Sequence, residues 1–97
     1  MTFEKVLSVF ADYLKEDRDY EVVQTSRGYA VMGWDGERQN WHKAEHCASP
    51  ESLRDHLLSS YRDFMEVKLT DCERSLTEEE ETQLKAAQQA IADHCSG

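Results

Sequence analysis

Two short stretches rich in β-branched and aromatic residues decide the fold: Tyr20-Glu21-Val22-Val23-Gln24-Thr25 and Tyr29-Ala30-Val31-Met32-Gly33-Trp34. Such residues suit the half-buried surface of a sheet, and Ser26-Arg27-Gly28 between them is turn material, so they predict a β-hairpin. Asp35-Gly36 suits a second tight turn because both residues tolerate positive φ, and residues 37–40 lengthen that loop. A third extended segment over 41–47 then completes an antiparallel meander.

Helical periodicity flanks this meander on both sides. From Thr2 to Asp17 apolar residues recur at intervals of three and four, which predicts one amphipathic helix. Ser49-Pro50-Glu51 predicts the start of a second helix, because Ser49 can cap free amides and Pro50 has no N–H to leave unpaired. An apolar stripe follows from Leu53 to Met65, and the helix is predicted to run to about Lys68.

A third helix is predicted to begin at Thr77, which has the capping-box spacing with Glu80. The chain is therefore one α+β domain over residues 1–97, with the order αβββαα and the helices on one sheet face. This order resembles the double-stranded RNA-binding domain. That family reads RNA with a basic cluster at the start of its second helix, where this chain has Ser49-Pro50-Glu51-Ser52, so the resemblance extends to topology and not to RNA binding.

The charge balance indicates the kind of partner. The chain carries 20 Asp and Glu against 11 Lys and Arg, a formal net charge of -9. Nucleic acids and anionic membranes repel such a surface, since binding to phosphates depends on Lys and Arg. A basic protein is the favoured electrostatic partner, although a net negative charge also simply keeps a small protein soluble.

Cysteine usage and hydropathy predict a cytoplasmic protein. No apolar run approaches the roughly 20 residues of a membrane span, and the N-terminus does not have the pattern of a signal segment. Cys47, Cys72 and Cys95 are an odd number at wide spacings, which favours free thiols in a reducing compartment over a disulfide framework.

The histidines and cysteines do not form a recognisable catalytic or metal-binding motif. His42 and His46 in an extended strand are expected on the same face about 13 Å apart, too far to share one metal ion. A cysteine nucleophile would need an oriented base and oxyanion donors, which no motif here identifies. We therefore expect no enzyme activity and no cofactor, with a metal or catalytic site at these residues as the minor alternative.

The aromatic residues Tyr29, Trp34 and Trp41 have two interpretations. Exposed on an uncovered sheet face, they would mark a contact surface. Packed across the two ends of the loop that begins at Asp35, Trp34 and Trp41 would instead form an aromatic pair that holds the hairpin, which is the favoured interpretation.

Two acidic patches are candidate contacts for a basic partner. The hairpin-tip patch comprises Asp35 and Glu37 beside Trp34 and Trp41. The interhelix patch comprises Asp71, Glu73, Glu78, Glu79, Glu80 and Glu81. Carboxylates on a small rigid scaffold can take the place of nucleic-acid phosphates in a basic groove, each accepting from Arg. A solvated helix start is the alternative interpretation of the interhelix patch.

The whole chain, and especially Gly33-Trp34-Asp35-Gly36 with Ser49-Pro50-Glu51-Ser52-Leu53-Arg54-Asp55, resembles small proteins of bacterial mobile elements and phages, among them acidic anti-CRISPR inhibitors. The resemblance implies an inhibitor that binds a type II, RNA-guided CRISPR nuclease and occupies the basic surface for guide RNA or target DNA. It transfers no site residue. The alternative is a non-catalytic adaptor or regulatory protein of a mobile element, whose oligomeric state the sequence leaves open.

Overall fold

A computed structural model describes all 97 residues and has the predicted α+β architecture. Seven elements follow one another along the chain: α1 (Phe3–Val9), α2 (Ala11–Glu16), β1 (Tyr20–Thr25), β2 (Gly28–Asp35), β3 (Asn40–Cys47), α3 (Pro50–Thr70) and α4 (Glu78–Ser96). The strands form one antiparallel sheet in the order β1-β2-β3. The predicted meander of three strands is confirmed.

The initial helix is interrupted, which the periodicity did not predict. The single helix expected from Thr2 to Asp17 is two short helices, α1 and α2, joined at Phe10 with φ -91° and ψ 3°. Phe10 is 1% exposed and lies in the same core cluster as Tyr13. The backbone hydrogen bonds from Phe10 to Val6 and from Leu14 to Phe10 continue across this junction, so both rings enter the same core.

The third strand contains a bulge that reverses an expected orientation. Val31 pairs with Glu45 and Gly33 pairs with His42, so Met32 alone faces two residues of β3, Lys43 and Ala44. Lys43 takes up the extra residue with a φ of 54°.

Because of this bulge, the two strand histidines do not share a face. His46 pairs with Ala30 and His42 with Gly33, and these two partners, three residues apart in β2, point to opposite sides of the sheet. The prediction that His42 and His46 lie on one face was wrong, because a one-residue bulge shifts the alternation of side chains.

The predicted helix starts are confirmed in atomic detail. The Ser49 hydroxyl caps α3 by accepting from the Ser52 amide at 3.2 Å. The Ser49 amide donates to the Ser52 hydroxyl at 3.2 Å, which completes a capping box. Thr77 accepts from the Glu80 amide at 3.1 Å, while the Thr77 amide donates to the Glu80 carboxylate at 3.0 Å. The helix α3 extends two residues beyond the predicted Lys68 and ends before Asp71, which has a left-handed φ of 52°.

The hydrophobic core is small and lies on one face of the sheet. It joins eight buried residues: Val6, Phe10, Tyr13, Val31, Cys47, Leu53, Leu57 and Cys95. Tyr20, Val22 and Tyr29, which pack against the core, share the sheet face of Val31. The helices therefore cover one face as predicted, and the opposite face leaves Val23 and Trp41 more than a third exposed.

Candidate functional site

A single arginine holds the interhelix patch in a fixed shape. The Arg74 guanidinium donates to the Leu69 carbonyl at the end of α3 and to the Ser75 carbonyl in the connecting loop. It also contacts both carboxylate oxygens of Glu80, at 2.7 and 2.9 Å. Arg74 thereby ties the end of α3 to the start of α4, and the loop between the helices is a scaffold rather than a loose linker.

Two of the six carboxylates in the interhelix patch are used inside the protein. The hydrogen bonds from Arg74, followed by the capping contacts with Thr77, lower the pKa of Glu80 to about 2. Glu81 binds the Arg62 guanidinium through both of its oxygens, at 2.6 and 2.8 Å, and so joins α4 to α3. Glu80 and Glu81 therefore stabilise the scaffold that presents their neighbours.

The remaining four carboxylates of the patch are available to a partner. Asp71, Glu73, Glu78 and Glu79 are exposed and form no ion pair with a cation of the chain. Their backbone is set by the left-handed turn at Asp71, by Arg74 and by the capping box at the start of α4. The patch thus presents uncompensated negative charge on a fixed backbone.

The hairpin-tip patch offers less free negative charge, because Asp35 already makes contacts within its own loop. One oxygen of Asp35 accepts from the amides of Glu37 and Arg38 at 3.1 and 3.3 Å, which closes the loop as an Asx turn. Its other oxygen lies 3.8 Å from the guanidinium of Arg38. Glu37 is exposed and is the free carboxylate of this patch.

The favoured interpretation of the tryptophans is confirmed. Trp34 and Trp41 are cross-strand partners, with ring centroids 5.0 Å apart and planes at 68°. This edge-to-face geometry is the favourable one for aromatic pairs, so the two rings close the base of the hairpin loop. Tyr29 belongs to a different contact, with its ring 4.8 Å from that of Phe3 on the helix side of the sheet.

An open groove lies between α3 and the sheet and was not predicted from the sequence. Its volume is about 950 Å³. It is lined by the segment Glu16–Tyr20, by Val31, Gly33, Trp34, His42, Lys43 and Glu45 of the sheet, and by His56, Ser59, Ser60, Asp63, Phe64, Val67 and Lys68 of α3. Its lining combines buried residues, among them Val31, Gly33 and Ser60, with exposed ones such as Lys43, Glu45 and Asp63.

The groove extends toward the interhelix patch. A second, smaller cavity shares Asp63 and Val67 with the groove and extends to Cys72 and Arg74, beside the interhelix patch. A sequence signal for the groove exists in α3: Ser60 occupies the apolar phase set by Leu53 and Leu57, where a core helix normally carries a large side chain.

A buried carboxylate lies in this groove. Asp17 is 4% exposed and accepts a hydrogen bond of 2.6 Å from the Tyr13 hydroxyl and one of 3.1 Å from the Asp19 amide. Burial, together with the hydrogen bond to Asp17, raises the pKa of Tyr13 well above its usual value. The pair is therefore a neutral phenol donating to a carboxylate.

The histidines and cysteines form no cluster of metal ligands in the structure. No three His, Cys, Asp or Glu side chains of the chain are arranged as metal ligands. All three cysteines are free thiols; Cys47 and Cys95 are buried and Cys72 is exposed. Burial raises the pKa of the Cys47 and Cys95 thiols, which makes both poor nucleophiles at neutral pH.

No helix in the structure combines the length and the apolar composition that a membrane crossing needs. Comparison of the chain with family models, curated proteins and solved structures finds no match.

Proposed function

We propose that this chain is a non-catalytic, cytoplasmic inhibitor that binds a type II RNA-guided CRISPR nuclease. In this proposal its carboxylates occupy the basic surface of the nuclease that otherwise receives guide RNA or target DNA. Such nucleases hold the guide–target duplex in a positively charged channel and recognise its backbone geometry. An array of carboxylates on a scaffold competes for the same arginines and lysines.

The observation that carries the proposal is the interhelix patch. Within residues 71–81 there are six carboxylates and one cation, Arg74. Arg74 and Arg62 neutralise Glu80 and Glu81, and the other four carboxylates form no ion pair within the protein. A partner that supplies Arg or Lys would find these groups already positioned, so little conformational entropy would be lost on binding.

The choice of a nuclease as partner rests on the resemblance to small acidic proteins of mobile elements. The preference for binding over catalysis is supported by the separation of the nucleophilic and basic side chains. The exposed Cys72 lies in the interhelix loop, whereas His42 and His46 lie on β3. A cytoplasmic site of action is supported by the three free thiols, because a reducing compartment keeps cysteines in the thiol form.

A second candidate function is supported by the uncovered sheet face. Val23 on β1 is 37% exposed and Trp41 on β3 is 38% exposed, and both strands are sheet edges. An adaptor or regulatory protein of a mobile element would use such a surface for protein–protein contact. Its binding would depend weakly on salt, whereas contacts through the interhelix patch would weaken strongly as the ionic strength rises.

The test combines gel filtration with a cleavage assay. The purified protein is mixed with a type II effector nuclease before and after guide loading, at low and at high salt. Co-elution with loss of cleavage is the expected result, and dependence on the order of addition identifies the blocked step. Absence of binding and of inhibition across several such nucleases would overturn the proposal and favour the adaptor.

Charge reversal identifies the contact surface. We expect Glu78→Lys with Glu79→Lys to abolish inhibition, since both carboxylates are exposed and unpaired. The matched control is Glu4→Lys with Glu51→Lys, which places the same charges in the first turns of α1 and α3 and bears the same helix-dipole penalty. If both double variants inhibit equally well, the contact lies elsewhere, and Glu37→Lys tests the hairpin-tip patch.

A further inference from the structure

We propose that the groove between α3 and the sheet is a binding site for one basic side chain of a partner protein, and that an arginine guanidinium fits it best. The inference rests on the proposed function in one respect: the side chain belongs to a basic partner protein. It goes further in assigning a specific pocket, distinct from the interhelix patch, and the chemical group that fills it.

The first reason is a buried charge without a counter-ion. Asp17 is 4% exposed, lines the groove, and has no Lys, Arg or His nitrogen within 4.0 Å. Its two hydrogen bonds come from neutral donors, the Tyr13 hydroxyl and the Asp19 amide. Buried carboxylates are normally paired with a cation, so a cationic occupant would supply the charge that this site lacks.

The second reason is the sign of the surrounding charge. The groove is lined by five carboxylates, on Glu16, Asp17, Asp19, Glu45 and Asp63, against the three cations of Arg18, Lys43 and Lys68. Asp19 and Asp63 are exposed at the groove and unpaired. Both carboxylates, with Asp17, act on the half-buried Tyr20, whose pKa is raised by burial first and by these charges second. The negative charge of three carboxylates therefore acts on one phenol that lines the groove.

The third reason is that the groove already accommodates a cation of its own. The Lys68 ammonium lies 5.7 Å from the centroid of the Phe64 ring and 3.6 Å from the Glu16 carboxylate. Lys68 is 58% exposed, so this contact is at the mouth of the groove and is readily displaced. It shows that the aromatic and acidic lining suits a positive charge.

The remaining polar groups determine which cation fits. Arg18 and Lys43 are exposed and make no ion pair, and the His42 ring lies against Gly33, where a Cβ would be 3.4 Å from its Nε2. His56 lines the opposite wall on α3. A planar guanidinium stacks on an aromatic ring while its five N–H groups donate to carboxylates in the plane of the group. An ammonium is a compact, strongly hydrated charge that cannot stack in this way, so arginine is favoured over lysine.

The experiment uses the isolated protein and a small probe. The ¹⁵N-labelled chain is titrated with N-acetyl-arginine amide, with N-acetyl-lysine amide, and with N-acetyl-citrulline amide, the neutral isostere of arginine. We expect saturable shifts for the arginine probe at the amides of Asp19, Tyr20, Gly33 and Asp63, weaker binding of the lysine probe, and no saturable shifts for citrulline.

Substitutions at the rim test the assignment without disturbing the core. Asp63→Asn, which removes an exposed carboxylate without a hydrogen bond in the structure, is expected to weaken the arginine probe about tenfold. Lys68→Ala removes the internal competitor and is expected to tighten binding about threefold. Asp12→Asn is the matched control, because Asp12 is exposed on α2 and does not line the groove.

Three results would overturn the inference. They are the absence of saturable shifts, equal binding of citrulline, and shifts that spread equally over Glu73, Glu78 and Glu79, which would indicate general attraction to negative charge. None of these depends on a nuclease. Conversely, a groove that binds arginine in a protein that inhibits no nuclease would leave this inference standing and refute the proposed function.

Discussion

The Tyr13 hydroxyl donates a 2.6 Å hydrogen bond to the Asp17 carboxylate, one helical turn later in the chain. Tyr13 is in the core cluster and Asp17 lies in the linker that leads from α2 to β1. The bond therefore joins α2 to the linker that leads into β1, where Asp17 lines the groove.

Removing the Tyr13 hydroxyl is expected to destabilise the fold. Tyr13→Phe leaves one oxygen of a buried carboxylate without its donor, and we expect the free energy of unfolding to fall by about 1–3 kcal/mol. Urea unfolding followed by circular dichroism measures this. Tyr61→Phe is the control, because Tyr61 packs on Tyr13 with ring centroids 5.6 Å apart but makes no side-chain hydrogen bond. Equal loss in both variants would show that the Tyr13 hydrogen bond contributes nothing beyond packing.

The Arg74–Glu80 contact is expected to make stability depend on pH. The pKa of Glu80 is lowered in the folded state, from 4.5 to about 2. Folding thus favours the ionised carboxylate, so its contribution is complete above pH 4.5 and is lost as the pH falls toward 2. Arg74→Ala should flatten the rise of stability with pH across this window.

The control for that pH profile is Arg27→Ala, which removes an exposed arginine that forms no ion pair. Its stability should rise with pH between 2 and 4.5 as steeply as that of the unaltered protein. A slope in Arg74→Ala as steep as in Arg27→Ala would mean that other carboxylates produce the acid sensitivity.

Gly28 is expected to be the least replaceable glycine. It has a φ of 126°, and a Cβ there would lie 2.7 Å from the backbone oxygen of Cys47 on β3. Gly28→Ala should lower the free energy of unfolding by about 1–3 kcal/mol, because alanine strains this backbone and the clash is with main chain. Gly36→Ala is the control, since nothing lies within 4 Å of a Cβ at that position. Equal melting temperatures for the Gly28→Ala and Gly36→Ala variants would contradict the hairpin geometry at Gly28.

The three thiols are expected to react at two very different rates. Cys72 is exposed, whereas Cys47 and Cys95 are buried and their pKa values are raised. An aromatic disulfide reagent at pH 8 should therefore label one thiol quickly and two only on unfolding. Cys72→Ser should remove the fast phase and leave the slow one, and a fast phase that survives this substitution would show that the core opens.

The predictable part of the fold is the part encoded by local chemistry. The caps at Ser49 and Thr77 involve residues three positions apart, and the Trp34–Trp41 pair follows from the loop between the two strands. The bulge at Lys43 depends on the pairing of β3 with β2, which local periodicity does not contain, and the break at Phe10 has no signal in the apolar repeat.

The same distinction applies to the candidate site. Sequence identified Glu78 to Glu81 as an acidic stretch but could not separate Glu80 and Glu81, whose cations lie 6 and 19 residues away, from their unpaired neighbours. The groove was missed because its walls come from three separate segments. The one local sign of the groove in the sequence is Ser60, a small polar residue at an apolar position of α3.

The bulge at Lys43 also affects how β3 tolerates a change of length. Without Lys43, Ala44 alone would face Met32, and the strand would pair regularly while Trp41, His42 and Glu45 kept their present faces. Elsewhere in a paired strand, the loss of one residue exchanges the inner and outer surfaces of everything beyond it. Position 43 is therefore where this sheet can lose a residue and keep both of its surfaces.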